Sequence, residues 1–376
     1  MSRIVVFGAT GYTGRLVCEE LVGAGVRPVL AGRSAKRLES MAAELGGLET
    51  AVADVAQPAS CGALVERGDV LVATVGPFMR FGHPAVEAAI AAGANYIDST
   101  GEPPFIREVF ERYGKAGERA GCALMTAMGY DWVPGNLAGA LALERAGDAA
   151  VRVDTGYFFT GDAQNGMSGG TRASLAGAVV APAYAWRDGR IVTERGAKRI
   201  RTFDVAGKQR AAVSVGASDH FGLPRVAPGL REVNAYLGWF GPLSRPMQVG
   251  SAVGAAFMTL PGARALTESL TARLVKGSTG GPDEQERAKS GSHVVAIAYD
   301  EAGQALSEVH LSGVNGYTFT GAIMAWAAAR AAEDGVTGAG ALAPVEAFGI
   351  RELQAGCAQA GLLDAGASAT AAKSVA

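Results

Sequence analysis

Seven residues near the start of the chain, Gly8-Ala9-Thr10-Gly11-Tyr12-Thr13-Gly14, have types and a spacing that suit a bound phosphate. They follow an apolar run and open an amphipathic one, so they form the turn between a strand and a helix. Gly8, Gly11 and Gly14 permit a tight bend, close approach of backbone to a pyrophosphate, and close packing of helix on strand. The helix that follows points its first amides and its positive dipole end at the same place. A second signal lies 19 residues beyond Gly14, in Ala31-Gly32-Arg33-Ser34. A nicotinamide dinucleotide without a 2′-phosphate is met here by an acidic residue, and one with it by an arginine. Arg33 pairs with a phosphate bidentately, Ser34 adds a hydroxyl, and Arg37 adds charge one turn later. These residues imply NADP(H) rather than NAD(H).

Further candidates lie where other strands should end. Asp54 fits an adenine contact, and Val75, Gly76, Pro77 and Phe78 fit a loop beside the nicotinamide half. Four residues are candidates for handling substrate or a proton. Tyr130 is a proton donor, and Asp131 orients a partner or the substrate, or else caps the helix near Asn136. Arg172, with Ser168-Gly169-Gly170 before it, is a receptor for a carboxylate or phosphate, or the start of a capped helix. His83 is a possible acid, or a turn residue beside Pro84.

Other chemistries lack their residues. No tyrosine has a lysine four positions on, as a short-chain reductase would need. The four cysteines and four histidines are scattered without metal-ligand spacing, so no metal is expected. A net charge of −2 excludes a basic footprint for nucleic acid. No apolar run is long enough to span a membrane, and no signal-peptide pattern opens the chain. The expected location is cytoplasmic.

The elements that must hold these residues alternate. Strands are predicted at Ile4–Phe7, Pro28–Ala31, Thr50–Ala53, Val70–Thr74, Tyr96–Asp98 and Cys122–Met125. Helices between them predict a doubly wound parallel sheet. After residue 130 the rhythm changes to β-rich stretches without crossover helices. Val151–Phe159, Ile191–Thr193, Ile200–Phe203, Ala211–Val215 and Val294–Tyr299 predict an antiparallel sheet in a second, α+β domain. Helices are expected at Thr171–Val180, Ala263–Val275, Thr320–Ala332 and Pro344–Ala360. The predicted domains are 1–128 (dinucleotide binding), 129–320 (substrate and homodimer contacts), 321–364 (helices returning to the first domain) and 365–376 (a tail). At 376 residues and 49% hydrophobic, the chain can bury two cores.

The run Phe7 to Arg15, Leu30 to Ser34, Thr74 to Phe78, Tyr96 to Glu102, Gly129 to Pro134 and Ser168 to Ser174 occurs in that order. Together these segments resemble the saccharopine dehydrogenase-like oxidoreductases, and within them the trans-acting enoyl reductase group of actinobacteria. The resemblance implies a Rossmann domain with an inserted α/β domain, NADP(H), and reduction of a C=N or activated C=C bond. One departure stands out. Where the family often shows Gly-Phe-Asp-Ser-Ile-Pro-Ser-Asp, this chain has Gly-Tyr-Asp-Trp-Val-Pro-Gly-Asn at 129–136. Phe78, Phe81, Trp132, Val133, Phe158, Phe159 and Met167 suggest a mostly apolar small-molecule substrate, lipid-like or carrier-bound. The competing expectation is a catalytically silent NADP-binding accessory or sensor protein.

Overall fold

The computed structural model describes residues 2–161, 182–257 and 280–365. Arg172, Met167, the expected helices at Thr171–Val180 and Ala263–Val275, and nearly all of the tail lie outside the described residues. The chain divides into two compact units, Met1–Val133 with Gly316–Gly361, and Pro134–Asn315 with the residues from Leu362 onward.

The first unit is built on β1 (Ile4–Phe7), β2 (Val29–Gly32), β3 (Thr50–Val52), β4 (Val70–Ala73), β5 (Asn95–Asp98) and β6 (Ala123–Met125). All pair in parallel, in the order β3-β2-β1-β4-β5-β6, and a short strand at Gly340–Ala341 adds beyond β6. Strands β1 and β4 are uninterrupted Val, Ile, Leu, Ala and Phe, buried along their whole length. Such runs are what a sheet covered on both faces requires. Helix α1 (Tyr12–Gly23) packs against the helix Gly316–Glu333. The approach is close: a Cβ on Gly321 would sit 2.9 Å from Leu16 Cβ.

Two helices differ from expectation. The one after β5 runs from Pro103 to Ala120 but widens into a π-turn at Val109–Tyr113. Beyond that turn Gly114 and Gly117 lie against the Gly340–Ala341 strand. The stretch Pro344–Ala360 is two helices, Pro344–Phe348 and Ile350–Gln359, divided at Gly349, whose φ of +76° favours glycine.

The second unit carries β7 (Arg152–Gly161), β8 (Pro182–Arg187), β9 (Arg190–Arg195), β10 (Ile200–Val205), β11 (Lys208–Val215), β12 (Glu232–Leu237), β13 (Ser290–Tyr299) and β14 (Ala305–Gly313). Its sheet runs β10-β11-β12-β7-β13-β14 and ends on Leu362–Asp364, with β8 and β9 attached at β12. It is mixed rather than purely antiparallel, because β12 and β7 pair in parallel. Leu362–Asp364 therefore belongs here and not with the C-terminal helices. It pairs with Leu311–Gly313, and the Asp364 carboxylate accepts a 2.5 Å hydrogen bond from Arg145. A core of Phe158, Phe203, Val205, Tyr236, Val295 and Ile297 lies against one face.

Candidate functional site

In the first unit the sheet reverses direction of winding between β1 and β4, the position where open α/β sheets bind ligands at their carboxyl ends. The Gly8–Gly14 turn sits there. Gly8 has φ +94°, and a Cβ on it would lie 2.6 Å from Thr74 Oγ1; a Cβ on Gly14 would run into the Gly8 carbonyl oxygen. Neither position admits a larger residue without moving backbone. Gly11 N–H donates to the Gly8 carbonyl at 2.9 Å and closes the turn. No side chain caps α1 at Gly11. Thr10, Tyr12 and Thr13 are half-buried and Gly11 is exposed, so the turn presents backbone rather than side chains. This cradle, which a Cβ would fill, fits a pyrophosphate.

Arg33 is exposed and makes no hydrogen bond or ion pair among the described residues. Ser34 caps the helix Ala35–Glu44, accepting from Arg37 N–H at 3.4 Å. Arg37 Nη2 in turn donates to the Thr10 carbonyl at 2.8 Å, bracing the glycine turn from outside. Asp54 follows β3, and its Oδ1 accepts from Ala56 N–H at 2.9 Å.

Three loops leave the neighbouring strands β4, β5 and β6 at the same edge. The first starts at Thr74, whose hydroxyl lies 3.2 Å from the carbonyl oxygens of both Phe7 and Gly8. Val75 and Pro77 are half-buried and Gly76 is exposed. Phe78 is engaged within the unit: its ring is 5.6 Å from that of Phe105, and its amide donates to Glu102 Oε1 at 2.7 Å. Glu102 Oε2 accepts from Met79 N–H at 3.1 Å. His83 opens the next helix, with Nδ1 3.1 Å from Tyr113 Oη and its ring edge-on to Phe105.

The loop after β5 is held by Asp98. Its Oδ1 accepts from the amides of Thr100 and Ala127, each at 2.9 Å, and its Oδ2 accepts from Thr126 Oγ1 at 2.8 Å. Burial nonetheless pushes this carboxyl up to about 6. The bond to Ala127, at φ +62°, bends the chain after β6 and sets out Gly129-Tyr130-Asp131-Trp132.

In that turn the Tyr130 amide donates to Thr320 Oγ1 at 3.0 Å, and the Tyr130 ring stands edge-on to Phe319. Asp131 is partly accessible as a residue, yet its Oδ1 is shut from solvent and has no hydrogen-bond partner among the described residues. A Cβ on Gly101 would lie 3.0 Å from Asp131 Oδ2, so Gly101 is what lets this carboxyl in. Burial alone pushes it up to about 7. The helix expected near Asn136 starts at Val133, which puts Trp132 rather than Asp131 at its N-cap position. An acid that changes protonation near neutrality beside a ligand-binding sheet edge suits proton transfer.

The apolar wall expected from sequence is mostly interior. Phe78, Trp132, Val133 and Phe158 are 6% exposed or less and pack in cores, while Phe81 and Phe159 keep some exposure. Asp98 and Glu102 are not singled out by the sequence as site residues. Their spacing of four places is visible, but the amides they hold, 23 to 29 residues away, are not.

A parallel sheet in this order, with a glycine cradle at its switch point and an unpaired arginine after β2, defines a dinucleotide-binding Rossmann domain. Residues 4–125 match the family model described as the saccharopine dehydrogenase NADP-binding domain. The first unit thus carries an NADP-binding domain at residues 4–125. The chain is 39% identical over 182 residues to a Mycobacterium tuberculosis protein provisionally named a trans-acting enoyl reductase, across 46% of this chain and 43% of that one. It is 38% identical over 141 residues to a trans-acting enoyl reductase of Mycobacterium ulcerans, across 36% of this chain and 34% of the other. The chain thus spans less than half the length of these curated relatives. Its fold is similar to that of apo saccharopine dehydrogenase (L-Glu forming) from Saccharomyces cerevisiae, with a TM-score of 0.58 at 14% identity, covering 94% of this chain and 96% of that one. Among the described residues no helix is long and apolar enough to cross a membrane.

Proposed function

We propose that the chain is an NADPH-dependent reductase of a C=N or activated C=C bond in a mostly apolar, lipid-like or carrier-bound molecule. The observation that carries this is the pairing, on one sheet edge, of a glycine cradle for a dinucleotide with a buried, unpartnered carboxyl at Asp131. NADPH, when bound, supplies the hydride. Gly8, Gly11 and Gly14 admit the pyrophosphate, and Arg33 meets the 2′-phosphate with Arg37 and Ser34 beside it. Asp131 holds a proton near neutrality and gives it to the atom left electron-rich. Within residues 74–82, 98–103 and 126–133 the one cation is Arg80, stacked on Phe81 at 4.9 Å. A substrate with several carboxylates needs more cations than this edge offers. The relatives' names favour the alkene over the imine. Screening NADPH oxidation with an acyl enone, a cyclic imine, and 2-oxoglutarate plus lysine tests the proposal. Turnover of the enone or the imine is expected, and turnover of only the last pair overturns the apolar substrate.

A further inference from the structure

The loop after β4 hangs between two anchors. At its start the Thr74 hydroxyl ties it to the glycine turn through the Phe7 and Gly8 carbonyls. At its end Glu102 takes the Phe78 and Met79 amides, one on each carboxylate oxygen, at 2.7 and 3.1 Å. Glu102 is itself held in place: its own amide donates to Thr100 Oγ1 at 3.1 Å, and the Thr100 amide donates to Asp98 Oδ1 at 2.9 Å. This ladder runs from the end of β5 across to the end of β4. Between the anchors, Val75, Gly76 and Pro77 make no hydrogen bond to a side chain of another element among the described residues. Their course is therefore set from the two ends. An acidic group accepting two backbone amides is a strong, directional restraint.

We infer that Glu102 is a positioning residue for the nicotinamide half of the dinucleotide, acting through the loop Val75–Pro77 and touching no cofactor atom itself. This rests on the NADP(H) reading above. A glutamate is needed because both oxygens must accept. Glutamine keeps one acceptor and turns an NH2 towards the second amide, and alanine removes both. A side chain that only stabilised the fold would weaken every part of the cofactor alike. One that sets this loop weakens only the nicotinamide half, because the adenine half is held by Gly8–Gly14 and Arg33.

The experiment compares binding of NADPH with binding of 2′-phospho-ADP-ribose, which lacks the nicotinamide, to the full chain and its E102Q and E102A variants by calorimetry. For E102A, NADPH is expected to bind about tenfold more weakly or worse while the fragment stays within about twofold. E102Q should fall between, and it carries the test if E102A does not fold. Equal losses for both ligands, or no loss for either, overturn the inference while leaving NADP(H) binding intact. An unsubstituted chain that binds neither ligand overturns the cofactor reading, and the role of Glu102 with it.

Discussion

Two aspartates, Asp219 in the second unit and Asp131 in the first, have their carboxylates treated in opposite ways. In the second unit Asp219 is fully enclosed and fully engaged. Its Oδ1 accepts from Thr155 Oγ1 at 2.7 Å, Tyr157 Oη donates at 3.1 Å, and Asn136 Nδ2 lies 3.4 Å from Oδ2. In the first unit Asp131 Oδ1 has no hydrogen-bond partner among the described residues. The comparison accounts for the departure from the family pattern at Gly135 and Asn136. A Cβ on Gly135 would run into the Tyr157 hydroxyl, so a serine there excludes this arrangement. An aspartate at 136 would set like charge against Asp219, whereas Asn136 donates to Ser218 Oγ at 2.9 Å and faces Asp219 with its amide. A buried carboxyl given partners becomes a joint of the fold. Burial raises Asp219 and Asp98 to about 6 and Asp131 to about 7, so what sets Asp131 apart is an oxygen with no donor among the described residues.

That contrast is open to test. The largest effect is expected from Asp131→Asn, which should lower kcat by roughly 100-fold or more, the scale of a lost general acid. NADPH affinity should stay within about twofold. Unchanged turnover would move the proton donor elsewhere. Asp219→Ala should do the reverse, lowering unfolding free energy by about 2–4 kcal/mol through unpaired hydroxyls and a small cavity. The fraction that remains folded should bind NADPH normally; a large loss of turnover in that fraction would erase the distinction between the two acids.

Arg33→Asp ranks next. Losing a charge-assisted pair and adding repulsion should weaken NADPH binding by about 1.5–3 kcal/mol while sparing NADH. Equal effects on the two cofactors in a titration would remove the 2′-phosphate from this site. A smaller effect concerns pH. Asp131 is raised from 3.8 to about 7 in the folded chain, so between these values the native state binds more protons than the unfolded one. Stability contributed at this residue is therefore greatest at low pH and falls as pH rises from about 4 to 7. Denaturant unfolding at pH 5 and pH 8 should show Asp131→Asn losing less stability over that interval than the natural chain, by roughly 1–2 kcal/mol. Identical slopes would mean that the carboxyl is solvated. Tyr157→Phe should be the mildest change, about 1 kcal/mol of stability for one donor removed from Asp219.

Much of the first unit was legible because its signals are local. The β1 turn, its three glycines, Arg33 and the Ser34 cap lie within a few dozen residues, and each is tied to a backbone requirement that only certain residue types meet. The second unit was less legible. Strand β12 buries Asn234 along with its apolar residues, and its parallel partner β7 is 80 residues away.

For this protein the order of residues alone determined a parallel sheet, a glycine turn after its first strand and an arginine after its second. Glycine placement, hydrophobic periodicity and one arginine act over a single turn of chain, and their meaning does not depend on what packs against them. Only the tertiary structure decided that Glu102 holds the Phe78 and Met79 amides, that Asp131 Oδ1 meets no donor among the described residues, and that both oxygens of Asp219 do. A carboxylate reads the same in a sequence whether it is solvated, paired or stranded. Its role comes from which donors the folded chain brings within about 3 Å, and here those donors come from strands and loops that meet only when the sheets form.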